Sequence, residues 1–309
     1  MIKKLLAPLG IGSAEVATRL HNTLVSPGEQ LSGEVVVRGG NANQEIDELS
    51  LFLMTESEVE HGSKKFRQPF IISRAPLARS FTIRAGEQLS FPFTILVHLE
   101  TPITDLPRPG FQPDGQQGAR WGSSTSALGK GSGGNGSLGG VGKGSGGNGS
   151  FEGKEDSSAW SVMPTSVRNS TKVWLHTGLD IDNGVDSSDR DMLTVRPTAP
   201  MLRFMAALEN LGFVLRSADV ERGTLRGGGF QSTIGCYQEL EYREAYGRNT
   251  GIKQLEVSFV TRPTDTGVLV EVDSRFRHGD SYRSFVLNHT NYHQVDWERE
   301  LRQALEWSR

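Results

Sequence analysis

Between Ala14 and Val97, successive runs of residues alternate apolar and polar side chains with a period of two, and this pattern most limits the fold. The longest run has its apolar members at Leu89, Phe91, Phe93, Ile95 and Val97. A strand with one buried face alternates in this way, whereas a helix repeats its apolar residues every three or four positions. Turn sequences rich in proline and glycine separate the shorter runs before it,. Spaced strands of this kind predict an antiparallel β-sandwich.

Pro92 lies on the opposite, polar face of the longest run. Proline has no backbone N–H and cannot donate a hydrogen bond to a neighbouring strand. The sequence therefore predicts that this strand lies at the edge of a sheet or carries a bulge at Pro92.

A second alternating strand is predicted at residues 173–181, followed by a dense acidic turn and a short strand at residues 192–195,. One face of the first strand is apolar and the other is mixed. Trp174 on the mixed face fits either a binding aromatic or a residue of the sandwich. The aspartates of the acidic stretch are Asp180, Asp182, Asp186, Asp189 and Asp191.

Two interpretations of these five aspartates stay open. Loops rich in carboxylate oxygens bind Ca²⁺, so the five are candidate metal ligands. The helix–loop–helix calcium pattern fails here, because Gly184 and Val185 stand at its fifth and sixth positions and a strand precedes the loop. In the alternative interpretation the segment is a turn whose aspartates accept hydrogen bonds from backbone N–H groups.

Residues 122–153 contain fourteen glycines, and the sequence GKGSGGNGS occurs there twice. Such a composition favours a flexible coil, because it offers little apolar surface to bury. We interpret residues 108–160 approximately as an insertion into a sandwich domain that spans residues 1–196. In the alternative, the segment links two separate domains.

The remaining part, residues 197–309, is predicted to be a smaller α+β domain. A helix-start signal stands at its beginning, with Thr198 as N-cap and Pro200 in the first turn,. An apolar stripe with helical spacing runs from Met201 to Leu211, and Gly212 marks its end. Asp296 is the predicted N-cap of a final helix.

Composition narrows the function classes and the cellular location. The net charge is −3 and no basic cluster is dense, so we expect no nucleic-acid partner,. No apolar run reaches the length of a membrane span, and the apolar run of the first twelve residues is too short for a signal peptide. We therefore expect a cytoplasmic protein. Residues 2–9 form a basic, apolar arm that either packs on its own domain or touches an anionic membrane surface.

The sequence displays no convincing catalytic site, and we predict a protein that is not an enzyme. Cys236 has no histidine or acid placed beside it in the sequence. Because it is the only cysteine, an intrachain disulfide is excluded,. His289 and His293 lack the intervening glutamate of zinc proteases. We expect no cofactor other than Ca²⁺, for which the acidic turn is the candidate site.

Four stretches of the chain resemble the bacterial sporulation-control (SpoOM) family. They are residues 3–6 with 10–14, residues 27–29 with Gly33, Val35, Val37 and 44–47, residues 91–93 with 101–104, and residues 173–181 with Asp189, Asp191, Leu193 and 196–198. The last of these is the most specific, and the Gly-rich segment departs from the family pattern. The resemblance implies an arrestin-like N-terminal sandwich and a non-catalytic regulator or adaptor.

The leading functional hypothesis is therefore a regulatory protein that binds other proteins through loops or exposed strand edges. The sequence is also compatible with a homodimer. The alternative is a calcium-dependent binding protein that uses the acidic turn at residues 180–191.

Overall fold

The structure, a computed structural model, describes residues 12–62, 64–107, 167–182, 184–246, 250–274 and 281–306. Among these residues, no helix has both the length and the apolar character that a membrane crossing requires. The strands before residue 196 are β1 (Glu15–Leu20), β2 (Leu24–Val25), β3 (Gln30–Arg38), β4 (Gln44–His61), β5 (Lys64–Ile83), β6 (Gln88–Leu96), β7 (Arg168–Asn169), β8 (Val173–Ile181) and β9 (Ser187–Val195).

Helix and strand both occur after residue 196. The elements are α1 (Ala199–Asn210), β10 (Phe213–Arg222), β11 (Arg226–Gly227), β12 (Phe230–Gln231), β13 (Cys236–Glu244), β14 (Ile252–Thr261), β15 (Asp265–Ser274), β16 (Ser281–Asn288), a 3₁₀ turn at Tyr292–Gln294 and α2 (Trp297–Glu306). The mainly β fold class is confirmed.

Two larger sheets organise the described residues. One has three strands in the order β1–β3–β6. The other has eleven strands, with the order β16–β15–β14–β13–β10–β4–β8–β9–β2, while β5 pairs with β4 and β7 pairs with β10. Because β8 and β10 both pair with β4 and β5 pairs with β4 alone, β5 is an edge strand of the large sheet.

The core follows directly from the alternation in the sequence. Val35 of β3, Leu51 of β4 and Leu175 of β8 are at most 1 % exposed and belong to one buried cluster. The same cluster continues to Phe204 of α1 and Val257 of β14. Burial of this many large apolar side chains is the main favourable contribution to folding, at about 25 cal/mol per Å² of apolar surface.

The prediction of an edge strand at Pro92 is confirmed. Strand β6 ends the three-stranded sheet, and its antiparallel ladder with β3 continues through Pro92 without a register shift. Pro92 stands opposite Glu34, and since it has no N–H to donate, its position faces the open side of the strand. The alternative prediction of a bulge is therefore unnecessary.

The prediction of a short strand at residues 192–195 is wrong in extent. Strand β9 begins at Ser187, so Asp189 and Asp191 lie in a strand and not in a turn. Both faces of this part of β9 are polar, and period-two alternation cannot be recognised where neither face is apolar. Ser187 and Asp189 of this part accept hydrogen bonds from the backbone of β1.

The predicted helix boundaries agree with the structure. Helix α1 has its N-cap at Thr198 and a proline in its first turn, and it ends before Gly212, which has a φ of +88°. Thr198 makes no side-chain capping bond, and its buried hydroxyl has no hydrogen-bond partner. At α2, the Asp296 carboxylate accepts a hydrogen bond from the Arg299 N–H at 3.1 Å, as a capping residue does,.

The predicted insertion at residues 108–160 and the arm at residues 2–9 lie outside the described residues. The predicted boundary between residues 196 and 197 would run between strands of one large sheet. Gln238 of β13 joins the two sides, because its amide exchanges hydrogen bonds with the Ile103 backbone at 2.9 and 2.8 Å. The division into two domains stays a prediction.

Candidate functional site

Asp189 of β9 accepts a hydrogen bond from the backbone of the neighbouring three-stranded sheet. One of its carboxylate oxygens accepts a hydrogen bond from the Thr18 N–H of β1 at 2.7 Å. Next to it, the Ser187 hydroxyl accepts one from the Val16 N–H at 3.1 Å. Because β1 is the outer strand of the three-stranded sheet, these polar side chains complete its otherwise open edge.

The other aspartates of the acidic stretch divide into separate groups. Asp186 accepts a hydrogen bond from the Ile181 N–H at 3.1 Å, which stabilises the turn. Asp180 is exposed and lies beside Asp186; loss of solvation, followed by that neighbouring charge, raises the pKa of Asp180. Burial, followed by the charge of Asp189, raises the pKa of Asp191. Asp182 is exposed after β8.

The five aspartates do not converge as one set of ligands. Within the described part of the chain, the acidic side chains whose oxygens lie within 4.8 Å of one another are instead Glu58, Asp219 and Glu221. Lys65 pairs with both Glu58 and Glu221 at 3.4 Å. Calcium binding at residues 180–191 stays a prediction, which titration calorimetry with Ca²⁺ would test.

Cys236 is fully buried in β13. Burial raises the pKa of its thiol to about 12, with the Glu100 carboxylate as a smaller cause. A thiol of this kind is almost entirely protonated near neutral pH and is a poor nucleophile.

Two edge strands of the described part of the chain carry prolines. Strand β5 carries Pro69 and Pro76, and β6 carries Pro92. Proline at a sheet edge removes a hydrogen-bond donor and discourages pairing with another strand. Lys65 and Arg67 add charge at the beginning of the β5 edge. Side chains on the sheet face beside this edge are therefore better placed for recognition than the backbone of the edge.

An apolar groove lies on the solvent face of the large sheet, next to the β5 edge. It encloses about 370 Å³. Cross-strand pairing assembles it, because Met54 of β4 stands opposite both Trp174 and Ile71. We call it the aromatic groove, and its lining residues are Phe52, Met54, Pro69, Ile71, Trp174, His176 and Arg190.

Aromatic contacts fix the shape of the aromatic groove. The Arg190 guanidinium lies 3.9 Å from the centre of the Trp174 ring, a cation–π geometry. The rings of Phe52 and His176 pack at an angle of 45° with their centres 5.8 Å apart. Ile71 is 50 % exposed and Met192, opposite Trp174 on β9, is 49 % exposed. Trp174 itself is only 3 % exposed beneath Arg190. The groove therefore offers mainly aliphatic surface to solvent together with one guanidinium.

Sequence reasoning did not identify the aromatic groove. It placed Trp174 on the mixed face of its strand, and this is where the structure has it. The missing information was the pairing of β8 with β4 and of β4 with β5, which brings Phe52, Met54 and Ile71 beside Trp174. The sequence did contain one signal for the groove, because Phe52 and Met54 are apolar although both lie on the solvent face of β4.

The chain is similar to known sporulation-control proteins. The model of a family described as "SpoOM protein" matches residues 2–114 and 159–276. The sporulation-control protein spo0M of Bacillus subtilis is 29% identical over 277 residues, which are 89% of this chain and 81% of that protein. The crystal structure of Spo0M from Bacillus subtilis aligns with a TM-score of 0.69 at 24% identity and covers 97% of this chain and 100% of that one.

Proposed function

Because the chain belongs to the SpoOM protein family, we propose that it is a non-catalytic regulator that acts by binding other proteins. The relative from Bacillus subtilis is a sporulation-control protein, and we extend a regulatory role of that type to this chain. We propose the cytoplasm as its location. A homodimer and the absence of a nucleic-acid partner remain expectations.

The aromatic groove is the observation that carries this proposal. Its Ile71 is exposed and stands opposite Met54, and Met192, opposite Trp174 on β9, is exposed as well. Contiguous apolar surface of this kind on a folded protein commonly marks a binding site. Aromatic side chains and arginine are also the residues that contribute most to protein–protein interfaces.

The proposed contact combines the edge strand β5 with the sheet face beside it. Pro69 and Ile71 belong to β5 and line the aromatic groove. A partner segment lying along β5 would place its side chains against Met54 and Ile71. The proline at Pro69 limits how many backbone hydrogen bonds such a segment gains, so side-chain packing supplies most of the affinity.

Affinity capture from cells of the source organism, with quantitative mass spectrometry, tests the proposal. The wild-type chain is compared with Ile71→Asp, which places a charge in the groove. Val286→Asp is the matched control. Val286 is 48 % exposed on β16, and several strands of the large sheet separate β16 from β4. We expect partner proteins to be lost with Ile71→Asp and kept with Val286→Asp. Equal recovery with all three chains contradicts the proposal.

A further inference from the structure

The Arg190 guanidinium is held in place without a carboxylate partner in the described part of the chain. It stacks on Trp174, and the neighbouring Asp189 carboxylate is directed to the Thr18 and Arg190 N–H groups. A stacked guanidinium keeps its edge N–H donors free for a planar acceptor. The side chain is therefore fixed in position and can still bind an anion.

Other cations near the aromatic groove are already neutralised. Arg74 lies 5.4 Å from the Phe52 ring centre and pairs with Glu48 at 2.5 Å. Lys172 pairs with Glu56 at 3.0 Å. The positive charge of Arg190 therefore favours a ligand that carries a negative charge at this position.

We propose that the aromatic groove binds an extended protein segment that places apolar side chains against Met54 and Ile71 and a carboxylate against Arg190. This inference rests on the proposed function and specifies the chemistry of the partner. The volume of about 370 Å³ accommodates a few side chains rather than a whole helix. An arginine that is stacked on a ring holds its edge N–H donors in a fixed geometry that suits the two oxygens of a carboxylate.

Two other occupants fit the groove less well. A second copy packed groove to groove around a two-fold axis would bring the two Arg190 guanidinium groups near each other. An anionic membrane is attracted by clusters of cations, at about 1 kcal/mol for each Lys or Arg near the surface. Here the cations beside Arg190 are paired with Glu48 and Glu56.

Methyl NMR on the full chain with labelled methionines tests the inference. The probes are two synthetic peptides with leucine at alternate positions, one with aspartate and the other with lysine between them. We expect the aspartate peptide to shift the methyl signals of Met54 and Met192. Met201 and Met205, buried in α1, are internal controls whose signals stay unchanged. We expect the lysine peptide to cause no shift.

Arg190→Gln should weaken binding of the aspartate peptide by about tenfold, as loss of a close charge pair at an interface does. Arg226→Gln is the control, since Arg226 is exposed on β11. In the wild-type chain, added salt should weaken the same binding, and this measurement does not depend on how the variants fold.

Equal binding of both peptides, or no effect of Arg190→Gln and of salt, overturns the inference. So does a dimer in sedimentation that Ile71→Asp dissociates, or a stronger shift of the Met54 methyl by phosphatidylglycerol vesicles than by the peptide. If Ile71→Asp still abolishes capture from cells while the charge of the peptide has no effect, the proposed function stands and this inference alone fails.

Discussion

Glu239 occupies an unusually acidic part of the large sheet. It stands directly opposite Asp219 in the ladder of β10 and β13. Burial raises the pKa of Glu239 to about 8, and the charges of Glu256, Glu221, Asp219 and Glu271 add to this effect. Burial likewise raises the pKa of Asp219 to about 6. The folded protein therefore holds protons that the unfolded chain releases.

Replacing Glu239 by glutamine should reduce the pH dependence of stability. Between the ordinary pKa of 4.5 and about 8, the folded state binds a proton that the unfolded state lacks, so the free energy of unfolding falls as pH rises. The cost is complete above about pH 8, where Glu239→Gln should be more stable than wild type by about 1–3 kcal/mol. Thermal unfolding from pH 5 to 9 measures this, with exposed Glu15→Gln as control. An unchanged pH slope in Glu239→Gln would refute the prediction.

Asp189 should be important for stability through its hydrogen bond to β1. Asp189→Ala leaves the Thr18 N–H without its acceptor, and an unsatisfied, partly buried donor costs about 1–3 kcal/mol. Asp189→Asn keeps an acceptor oxygen and should recover most of that loss. Urea unfolding of the two variants measures the difference. Equal destabilisation by both would indicate that the charge, and not the hydrogen bond, is what matters.

This residue shows where sequence reasoning succeeded and where it stopped. The sequence offered backbone N–H capping as one interpretation of the aspartates, and Asp186 and Asp189 do accept such bonds. The N–H bound by Asp189 belongs to Thr18, 171 positions away. Spacing along the chain carries no information about a contact between two different sheets.

At the scale of the elements, β6 has two unlike edges. Leu89, Phe91 and Phe93 point their side chains to the interior and alternate with exposed positions. Since Pro92 lacks an N–H and its ladder with β3 is regular, the even-numbered residues direct their N–H groups to the open edge. The odd-numbered residues, including Leu89, direct theirs to β3.

Proline substitutions should distinguish these two edges. Ser90→Pro removes an N–H that faces the open edge and should cost about 1 kcal/mol or less, whereas Leu89→Pro removes a ladder hydrogen bond and should cost about 3 kcal/mol or more. Leu89→Ala separates the loss of the side chain from the loss of the N–H. Denaturant unfolding of the three variants gives the comparison. A larger cost for Ser90→Pro would contradict the assignment of the edges.

The alternation of apolar residues predicted the strands well where one face is buried. It identified β3, β6 and β8, because each has one apolar face. The two helices after residue 196 were instead predicted from capping residues and from apolar residues at helical spacing. It missed the length of β4 and β5, a hairpin of 18 and 20 residues. The beginning of β5, residues 64–69, is exposed on both faces, so neither face shows an apolar period there.

At the scale of the whole molecule, one buried cluster runs through both predicted domains. A shared core and a shared sheet favour unfolding in a single cooperative transition. Gln238→Ala should lower that single melting temperature, because it removes the bonds to the Ile103 backbone. Differential scanning calorimetry provides the measurement. Two separate transitions, only one of which shifts in Gln238→Ala, would instead support independent domains at residues 1–196 and 197–309.

If the aromatic groove contacts a partner protein, that partner lies next to Ile71. A photo-crosslinking amino acid placed at position 71 of the full chain within living cells tests this contact. Position 286 on β16 is the control for exposure. We expect position 71 to crosslink to a protein that position 286 does not capture. We also expect this crosslink to be lost when Arg190→Gln is added. Crosslinking from position 286 alone, or none from position 71, would refute the contact at the aromatic groove.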